Sequence, residues 1–274
     1  MTEPKIIITT NKTPFNIFQI YADIWKYRSF LLNLTNRELE MRYKGSFLGI
    51  LWNFLNPLLS LAIYFFVFSR ITQTAIPNYL VFLFIGINAW NFSIQVLGRA
   101  CDLFPSNAGF LSKVYFPQEI LIISLIASGA INYLISFSLI LILMLITKAS
   151  ITLNLLWFPF LVVLHSIFLY ATCLFLSSVG AIIRDLSYIV NTLLSLLFFL
   201  TPIIYSAETI SKKYAWLLNA QPFASIISLY RDIVHAGHHP NWPLLLYFCL
   251  FTLIWYLISH WIFNRLRYIV SDLI

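Results

Sequence analysis

Amide, hydroxyl and aromatic side chains recur at helical spacing in two stretches of the chain that are otherwise apolar. The first series, at intervals of three and four residues, is Asn53, Asn56, Ser60 and Tyr64. The second series, with similar intervals, is Tyr188, Asn191, Ser195, Phe199 and Pro202. Each series occupies one face of a helix, where it can hydrogen-bond and stack, so the chemistry it predicts is recognition. The alternative is that the polar groups join helices to one another and the aromatic rings face lipid.

Sequence patterns typical of catalysis, P-loop nucleotide binding and ion coupling are missing. No serine lies in a GxSxG context, and none of the eight glycines begins a GxxxxGK[ST] loop. No Asp or Glu lies well inside an apolar window, which argues against ion-coupled transport. The sequence therefore predicts no catalytic residue, and any ATP would have to be used by another subunit.

The histidine-rich segment at 235–239 reads HAGHH and is the main candidate for other chemistry. On a helix, His235 and His239 would lie together as metal ligands or as the reactive group of a membrane-embedded glycosyl- or acyltransferase. Gly237 and Pro240 favour a solvated loop instead. We therefore predict no metal site.

The composition is that of a polytopic membrane protein with an all-α fold. Hydrophobic residues make up 60% of the 274 residues and charged residues 10%, and the mean hydropathy is +0.85. Residues 45–69 carry no ionisable side chain; as a helix they would extend about 37 Å, more than the roughly 30 Å hydrocarbon core of a bilayer. By the same criterion we predict six transmembrane helices, at about 50–69, 79–98, 119–146, 154–180, 187–204 and 242–263.

The remaining composition restricts compartment and partners. The N-terminal segment lacks the long apolar stretch of a cleavable signal peptide, so we expect the first span to be internal and retained. Three cysteines cannot form a closed disulfide framework. The formal charge of +7 is placed at span ends rather than in a patch, which suits membrane lipids and argues against nucleic acid.

The distribution of Lys and Arg predicts the orientation of the six spans. Twelve of these residues lie in the terminal segments and in the loops at 99–118 and 184, which share one side of the membrane. Five lie on the opposite side: Arg70, Lys148, Lys212, Lys213 and Arg231. The excess of positive charge places both termini in the cytoplasm.

Three segments outside the spans carry specific expectations. The helical pattern before Lys44 is amphipathic, with one face formed by Leu32, Thr35, Leu39 and Tyr43, and predicts a helix in the membrane interface. Thr35 with Glu38 has capping-box spacing, which favours a break near 33–36. The loop at 99–118 could dock on a soluble partner or rest on lipid headgroups. The window at 214–230 is too short to cross and predicts a re-entrant or interfacial hairpin.

The chain resembles the ABC-2 type membrane subunits of polysaccharide exporters, the permeases for O-antigen, capsule and teichoic acid. The segments that carry the resemblance occur in the same order as in the family: RELEMRYKGSFLGILWNFLNPL, YLVFLFIGINAWNFS, NAGFLSKVYFP, RDLSYIVNTLLSLLFFLTPIIYS and NAQPFASIISLYRDIV. The last of these departs from the family, which usually reads NP after the asparagine. The resemblance covers residues 37–235 strongly and the C-terminal segment more weakly.

The resemblance implies a homodimeric permease in the bacterial inner membrane with two separate ATP-binding subunits, which would bind ATP and Mg²⁺. Residues 1–44 would form the cytoplasmic tail and interface helix, and residues 45–274 the six-span domain. The substrate would be a lipid-linked polysaccharide, whose hydroxyls and apolar ring faces suit the two side-chain series as a channel wall.

The implied coupling residues are Arg37, Asn107, Leu111 and Lys113. The implied outer gate consists of short helices within 208–236 and includes Tyr205, Asn219 and Pro222. A drug or lipid exporter of the same superfamily is the alternative.

Overall fold

The structure is a computed structural model that describes residues 25–71, 76–111, 116–207 and 221–273. Within these residues the fold is all-α, without a strand. The helices are α1 (Arg28–Tyr43), α2 (Trp52–Ile71), α3 (Tyr79–Ala100), α4 (Leu103–Ser106), α5 (Ala108–Leu111), α6 (Glu119–Ile146), α7 (Phe158–Gly180), α8 (Leu186–Leu200), α9 (Pro222–Val234) and α10 (Trp242–Leu273). Two 3-10 turns, Gly49–Leu51 and Leu153–Trp157, precede α2 and α7.

Helix α3 is the centre of the bundle. It packs against α2, α6, α7, α8 and α9. In the apolar stretch of α3, 78% of the residues are buried inside the protein, compared with 22% in that of α10, because five other helices pack around α3. The fully buried Trp90 ring lies 5.3 Å from Phe223 of α9 and 6.1 Å from Phe198 of α8. These contacts position α8 and α9 against the central helix.

Four helical segments among the described residues are long and apolar enough to cross a membrane: Tyr79–Ala100, Glu119–Ile146, Leu153–Gly180 and Trp242–Arg267. They confirm, by length and composition, the predictions at 79–98, 119–146, 154–180 and 242–263. The apolar helices at the other two predicted spans are shorter, Trp52–Phe68 and Leu186–Leu200.

The helix predicted at 187–204 ends earlier, at Leu200. The next residue, Thr201, has an extended backbone with φ −85° and ψ 136°. Since Thr201 precedes Pro202, whose ring disfavours helical backbone at the residue before it, the helix cannot continue. The apolar character of Ile203 and Ile204 is explained by burial in the protein rather than by a longer span.

The helices alternate between two ends of the bundle. At one end, called here the Arg99 end, Glu38 of α1 pairs with Arg99 of α3, and Phe104 lies 6.4 Å from Phe263 of α10. At the opposite end, called the Ile204 end, Tyr79 bonds to Ile204. The described parts of α1 and α10 therefore meet the same end, as an even number of crossings requires.

Helix α1 packs along α6 with a face that differs from the predicted one. Leu34, Thr35 and Glu38 are buried, but Leu32 is 62% exposed. The predicted break at 33–36 is wrong, because α1 is continuous from Arg28 to Tyr43. The Thr35 hydroxyl donates to the Leu31 carbonyl at 2.8 Å, and Glu38 pairs with Arg99 rather than capping the helix.

Candidate functional site

Helix α8 is covered on one side only. Val190 and Leu194 are buried against the bundle, whereas Tyr188 is 78% exposed and Phe199 is 67% exposed. Asn191 and Ser195 are exposed as well. The exposed side also carries apolar residues, among them Ile189, Leu193 and Leu196. All members of the second series except Pro202 therefore lie on the uncovered side of the protomer.

The polar side chains of this series are held by backbone groups. The Asn191 amide nitrogen donates to the carbonyl of Ser187 at 2.8 Å and to that of Gly98 in α3 at 3.4 Å. The Ser195 hydroxyl donates to the Asn191 carbonyl at 2.9 Å. A Cβ atom at Gly98 would lie 2.9 Å from the Asn191 side-chain oxygen, so glycine is what lets Asn191 approach α3. The amide is thus fixed in position at the Arg99 end of α8.

The first series, on α2, occupies mixed surroundings. Asn53 is buried, Asn56 is exposed, and Ser60 and Tyr64 are half-buried. The Tyr64 ring lies 5.5 Å from the ring of Phe198, and Phe198 in turn contacts Phe199 at 5.2 Å. The structure therefore places Tyr64 of the first series against α8, beside the neighbour of Phe199, whereas Asn53 is buried in the protein.

The predicted gate residue Tyr205 caps helix α8. Its hydroxyl lies 3.1 Å from the Phe199 carbonyl oxygen and 3.2 Å from that of Leu200. These carbonyls belong to the last turn, where a helix lacks internal donors. Burial raises the pKa of the Tyr205 phenol above its usual value.

The segment after α8 is also tied to α9. Pro222 is the first residue of α9, where its missing N–H costs no hydrogen bond. The side chain of Gln221 donates to the Thr201 hydroxyl at 2.6 Å. Gln221 lies in the part of the sequence that departs from the family pattern, and here it joins the start of α9 to the end of α8. Asn219 lies outside the described residues.

Arg231 is the main residue at the Ile204 end that the sequence interpretation missed. The sequence predicts that Arg231 is a charge on the outer side of the membrane, but the residue is 8% exposed and lies inside the protein. Its guanidinium donates to the carbonyl oxygens of Pro202 and Ile203 and lies 3.5 Å from the centroid of the Phe82 ring. The sequence feature that could have indicated burial is the position of Arg231 directly after the apolar window at 214–230.

At the Arg99 end, α1 with the predicted coupling residue Arg37 contacts α5, which ends at the predicted coupling residue Leu111. The guanidinium of Arg37 in α1 lies 5.8 Å from the ring centroid of Phe110 in α5, and the Phe30 ring stacks on Phe110 at 5.7 Å. Leu111 is half-buried, and the side chain of Asn107 donates to the Leu103 carbonyl at 2.8 Å. Lys113 lies outside the described residues. Helices α1 and α5 thus form one surface, called here the predicted coupling surface.

A groove of about 540 Å³ opens between α1, α3 and α8 at the Arg99 end. Its lining combines both charges with amide groups: Glu38, Met41, Arg42, Ile94, Gln95, Gly98, Arg99 and Asn191. The 2.6 Å ion pair between Glu38 and Arg99 forms one wall, and Asn191 of the second series reaches the other. The groove therefore extends from α1 to Asn191 of the second series.

The HAGHH segment follows α9 as a loop, as predicted from Gly237 and Pro240. Gly237 has a φ of +67°, and the His235 ring nitrogen lies 2.8 Å from the Pro77 carbonyl oxygen. Within the described residues there is no group of three or more His, Cys, Asp or Glu that could hold a metal ion.

Comparison with known proteins identifies the class of transporter to which this helical bundle belongs. The model of the ABC-2 type transporter family matches residues 30–235, most of the chain, including α1, the central helix α3, the coupling surface and α9. The chain belongs to the ABC-2 type transporter family. It is therefore a membrane component of an ABC transporter, in a family whose ATPase activity resides in a separate subunit.

Several ABC-2 relatives align over nearly their whole length. The chain is 32% identical to the O-antigen export system permease protein RfbA of Myxococcus xanthus, over 82% of this chain and 87% of the relative. It is 30% identical to the protein of the same name from Klebsiella pneumoniae, over 89% and 94%. It is 27% identical to the polysialic acid transport protein KpsM of Escherichia coli, over 80% and 86%. These relatives are named as permeases and transport proteins rather than enzymes.

Proposed function

We propose that this protein is the permease subunit of an ABC exporter that moves a lipid-linked, O-antigen-like polysaccharide outward across the bacterial cytoplasmic membrane. The proposal rests on membership of the ABC-2 family and on relatives named for O-antigen export and polysialic acid transport. The structural observation that carries it is the uncovered face of α8, where Tyr188, Asn191, Ser195 and Phe199 are exposed in the protomer.

The exposed face of α8 suits a polymer of sugars. Sugar rings present hydroxyls to amide and hydroxyl side chains and present apolar C–H faces to aromatic rings. Because the polar groups of Asn191 and Ser195 already donate to backbone carbonyls, they would offer the polymer weak, exchangeable contacts. Such a wall favours sliding over tight binding.

A homodimer would close the channel. One protomer supplies α8 and, through the contact of Tyr64 with Phe198, the edge of α2. A two-fold axis would place two such surfaces opposite each other and cover the exposed aromatic residues. In this arrangement α2 and α8, although shorter than the four long helices, act as the first and fifth of six spans.

The movement driven by ATP hydrolysis would enter at the Arg99 end. The positive charge of the terminal segments supports a cytoplasmic position for this end. Two ATP-binding subunits, carrying ATP and Mg²⁺, would contact the surface formed by Arg37, Phe110 and Leu111. Lys113, outside the described residues, would extend the same surface. The ion pair of Glu38 with Arg99 and the packing of α1 on α6 would pass the movement to the bundle.

The outer gate would lie at the Ile204 end. Tyr205 caps α8, Gln221 bonds to Thr201, and Pro222 begins α9, so that the segment after α8 and the start of α9 move as a unit. Asn219 and the short helices proposed within 208–236 would complete the gate.

The function is tested by purifying the chain with the ATPase that copurifies with it and reconstituting the complex in proteoliposomes. The probe is lipid-linked polysaccharide extracted from cells that lack this chain. We expect ATP-dependent movement of the polysaccharide across the bilayer and none without the ATPase. Stimulation by free lipids or drugs but not by the polysaccharide would assign the protein to another branch of the superfamily. Turnover by the isolated chain would instead show an enzyme.

A further inference from the structure

A side-chain hydrogen bond joins the start of α8 to the end of α3. The hydroxyl of Ser187, the second residue of α8, donates to a carboxylate oxygen of Asp102 at 2.7 Å. The two residues are 85 positions apart in the sequence, and Asp102 immediately precedes α4. A short hydrogen bond to a charged acceptor is among the stronger side-chain contacts. The carboxylate also lies near the N-terminus of α8, where the helix dipole favours negative charge.

The surrounding backbone holds Asp102 close to α8. A Cβ atom at Gly180, the last residue of α7, would lie 2.6 Å from both the Cα and the carbonyl oxygen of Cys101. Glycine therefore allows the end of α7 to touch the end of α3. The bond lies at the edge of a groove of about 570 Å³, which is lined by Asp102, Pro105, Ala108, Gly180, Ala181, Arg184, Ser187 and Tyr188.

Asp102 is continuous with the segment formed by α4 and α5. Its carbonyl accepts from the Ser106 amide at 2.9 Å, which makes Asp102 part of the first turn of α4. The Asn107 side chain donates to Leu103, and the Phe110 amide donates to the Asn107 carbonyl at 2.9 Å. A displacement of α4 and α5 would therefore carry the Asp102 carboxylate with it.

We propose that the hydrogen bond between Asp102 and Ser187 is the link through which α4 and α5 move the channel helix α8. Both are positioning residues that need not contact the polymer or the ATPase. The inference rests on the proposed function, in which α4 and α5 receive the movement of the ATP-binding subunits. The ion pair of Glu38 with Arg99 joins α1 to α3, whereas the bond of Ser187 joins the residue that begins α4 to α8 directly.

The test measures polysaccharide exported per ATP hydrolysed by the reconstituted complex, with lipid-linked polysaccharide extracted from cells lacking the chain. Ser187→Ala and Asp102→Ala each remove the bond, and we expect the export-to-ATP ratio to fall about tenfold, a size typical of coupling between sites. Asp102→Asn keeps an acceptor oxygen and should retain most of the ratio. The matched control is Thr192→Ala, because the Thr192 hydroxyl donates only within α8, to the Tyr188 carbonyl at 2.9 Å.

A double variant in which the two residues are exchanged distinguishes loss of the Asp102–Ser187 hydrogen bond from a general loss of structure. Asp102→Ser combined with Ser187→Asp can reform the bond in the opposite direction, so the double variant should recover the ratio that each single variant loses. The proposal is overturned if Ser187→Ala keeps the wild-type ratio, or if the exchanged pair remains as impaired as the single variants in complexes that elute as folded assemblies. Failure of the wild-type complex to export the polysaccharide would instead refute the proposed function.

Discussion

The guanidinium of Arg231 donates a hydrogen bond of 2.6 Å to the backbone carbonyl of Ile203. Among the described residues no carboxylate pairs with this cation, so its charge is compensated by carbonyl dipoles and by the face of the Phe82 ring. The hydroxyl of Tyr79 donates to the next carbonyl, that of Ile204, at 2.8 Å. Two donors from different helices thus fix the segment that follows α8. The segment after α8 is therefore anchored to both α9 and the central helix α3.

Arg231→Met removes this clamp and leaves the two carbonyls without their charged donor. We expect the free energy of unfolding to fall by about 3 kcal/mol, the range expected for hydrogen bonds to a charged group. Thermal unfolding of the purified protein in detergent measures the loss. Gly86→Ala should act in the same direction, since its Cβ would lie 2.9 Å from an Arg231 nitrogen. Arg265→Met, at an exposed arginine of α10, is the control, and equal losses in the two arginine variants would contradict the clamp.

The ion pair of Glu38 with Arg99 should stabilise the contact between α1 and α3 modestly. Glu38 is largely buried, but the Arg99 side chain is 44% exposed, so solvent screens the pair. We expect Arg99→Gln to lower the free energy of unfolding by about 1 kcal/mol. The exchanged pair Glu38→Arg with Arg99→Glu should restore most of this loss. Additive losses in the double variant would show that the two charges do not interact.

Leu111→Asp tests whether α5 contacts the ATP-binding subunit. A carboxylate in the half-buried surface beside Phe110 would disfavour docking, so the ATPase activity stimulated by the permease should fall at least about tenfold. Leu153→Asp, at a residue that is 86% exposed at the opposite end, should leave the stimulation unchanged. Normal stimulation in Leu111→Asp would favour the alternative in which the loop rests on lipid headgroups.

The variants Phe199→Ala and Tyr64→Ala test whether these two residues line the channel or pack the helices together. Phe199 is largely exposed in the protomer, so its truncation should slow export while the dimer remains folded. Tyr64 packs on Phe198, and its truncation should also cost about 1 kcal/mol of stability. Export assays and size-exclusion profiles of the two variants decide between the readings. If dimer stability falls in proportion to export in both, these residues pack helices and do not line the path.

The orientation is tested by labelling intact cells with an impermeant thiol reagent. The background is a variant in which Cys101, Cys173 and Cys249 are replaced. Single cysteines at positions 148 and 212 should react, because we place them outside, and a cysteine at 107 should not. The reaction at 107 should appear once the cells are permeabilised. Labelling at 107 in intact cells would reverse the orientation.

The sequence by itself determined where most helices lie. The absence of charge over 120–147 predicted a span at about 119–146, the bounds observed for α6. The helical intervals of Tyr188, Asn191 and Ser195 predicted that these residues share one face, and the structure shows that this face is exposed. These predictions succeed because hydropathy and helical periodicity depend only on residues that are close together in the sequence. Pro202 also indicates locally that α8 ends near Leu200, although the predicted span extended to residue 204.

Only the tertiary structure decided the partners of the charged and polar residues. Glu38 has the spacing of a capping box with Thr35, yet in the structure it pairs with Arg99. Leu32 belongs to the face of α1 that was predicted to be apolar, yet its side chain is exposed. The sequence around Arg231 suggests a charge in a loop. In the structure, Arg231 is buried and donates to the carbonyl of Ile203, which is 28 residues away in the sequence. The physical reason is that a buried charge is stabilised by groups brought near by packing, and no local pattern in the sequence records which groups those will be.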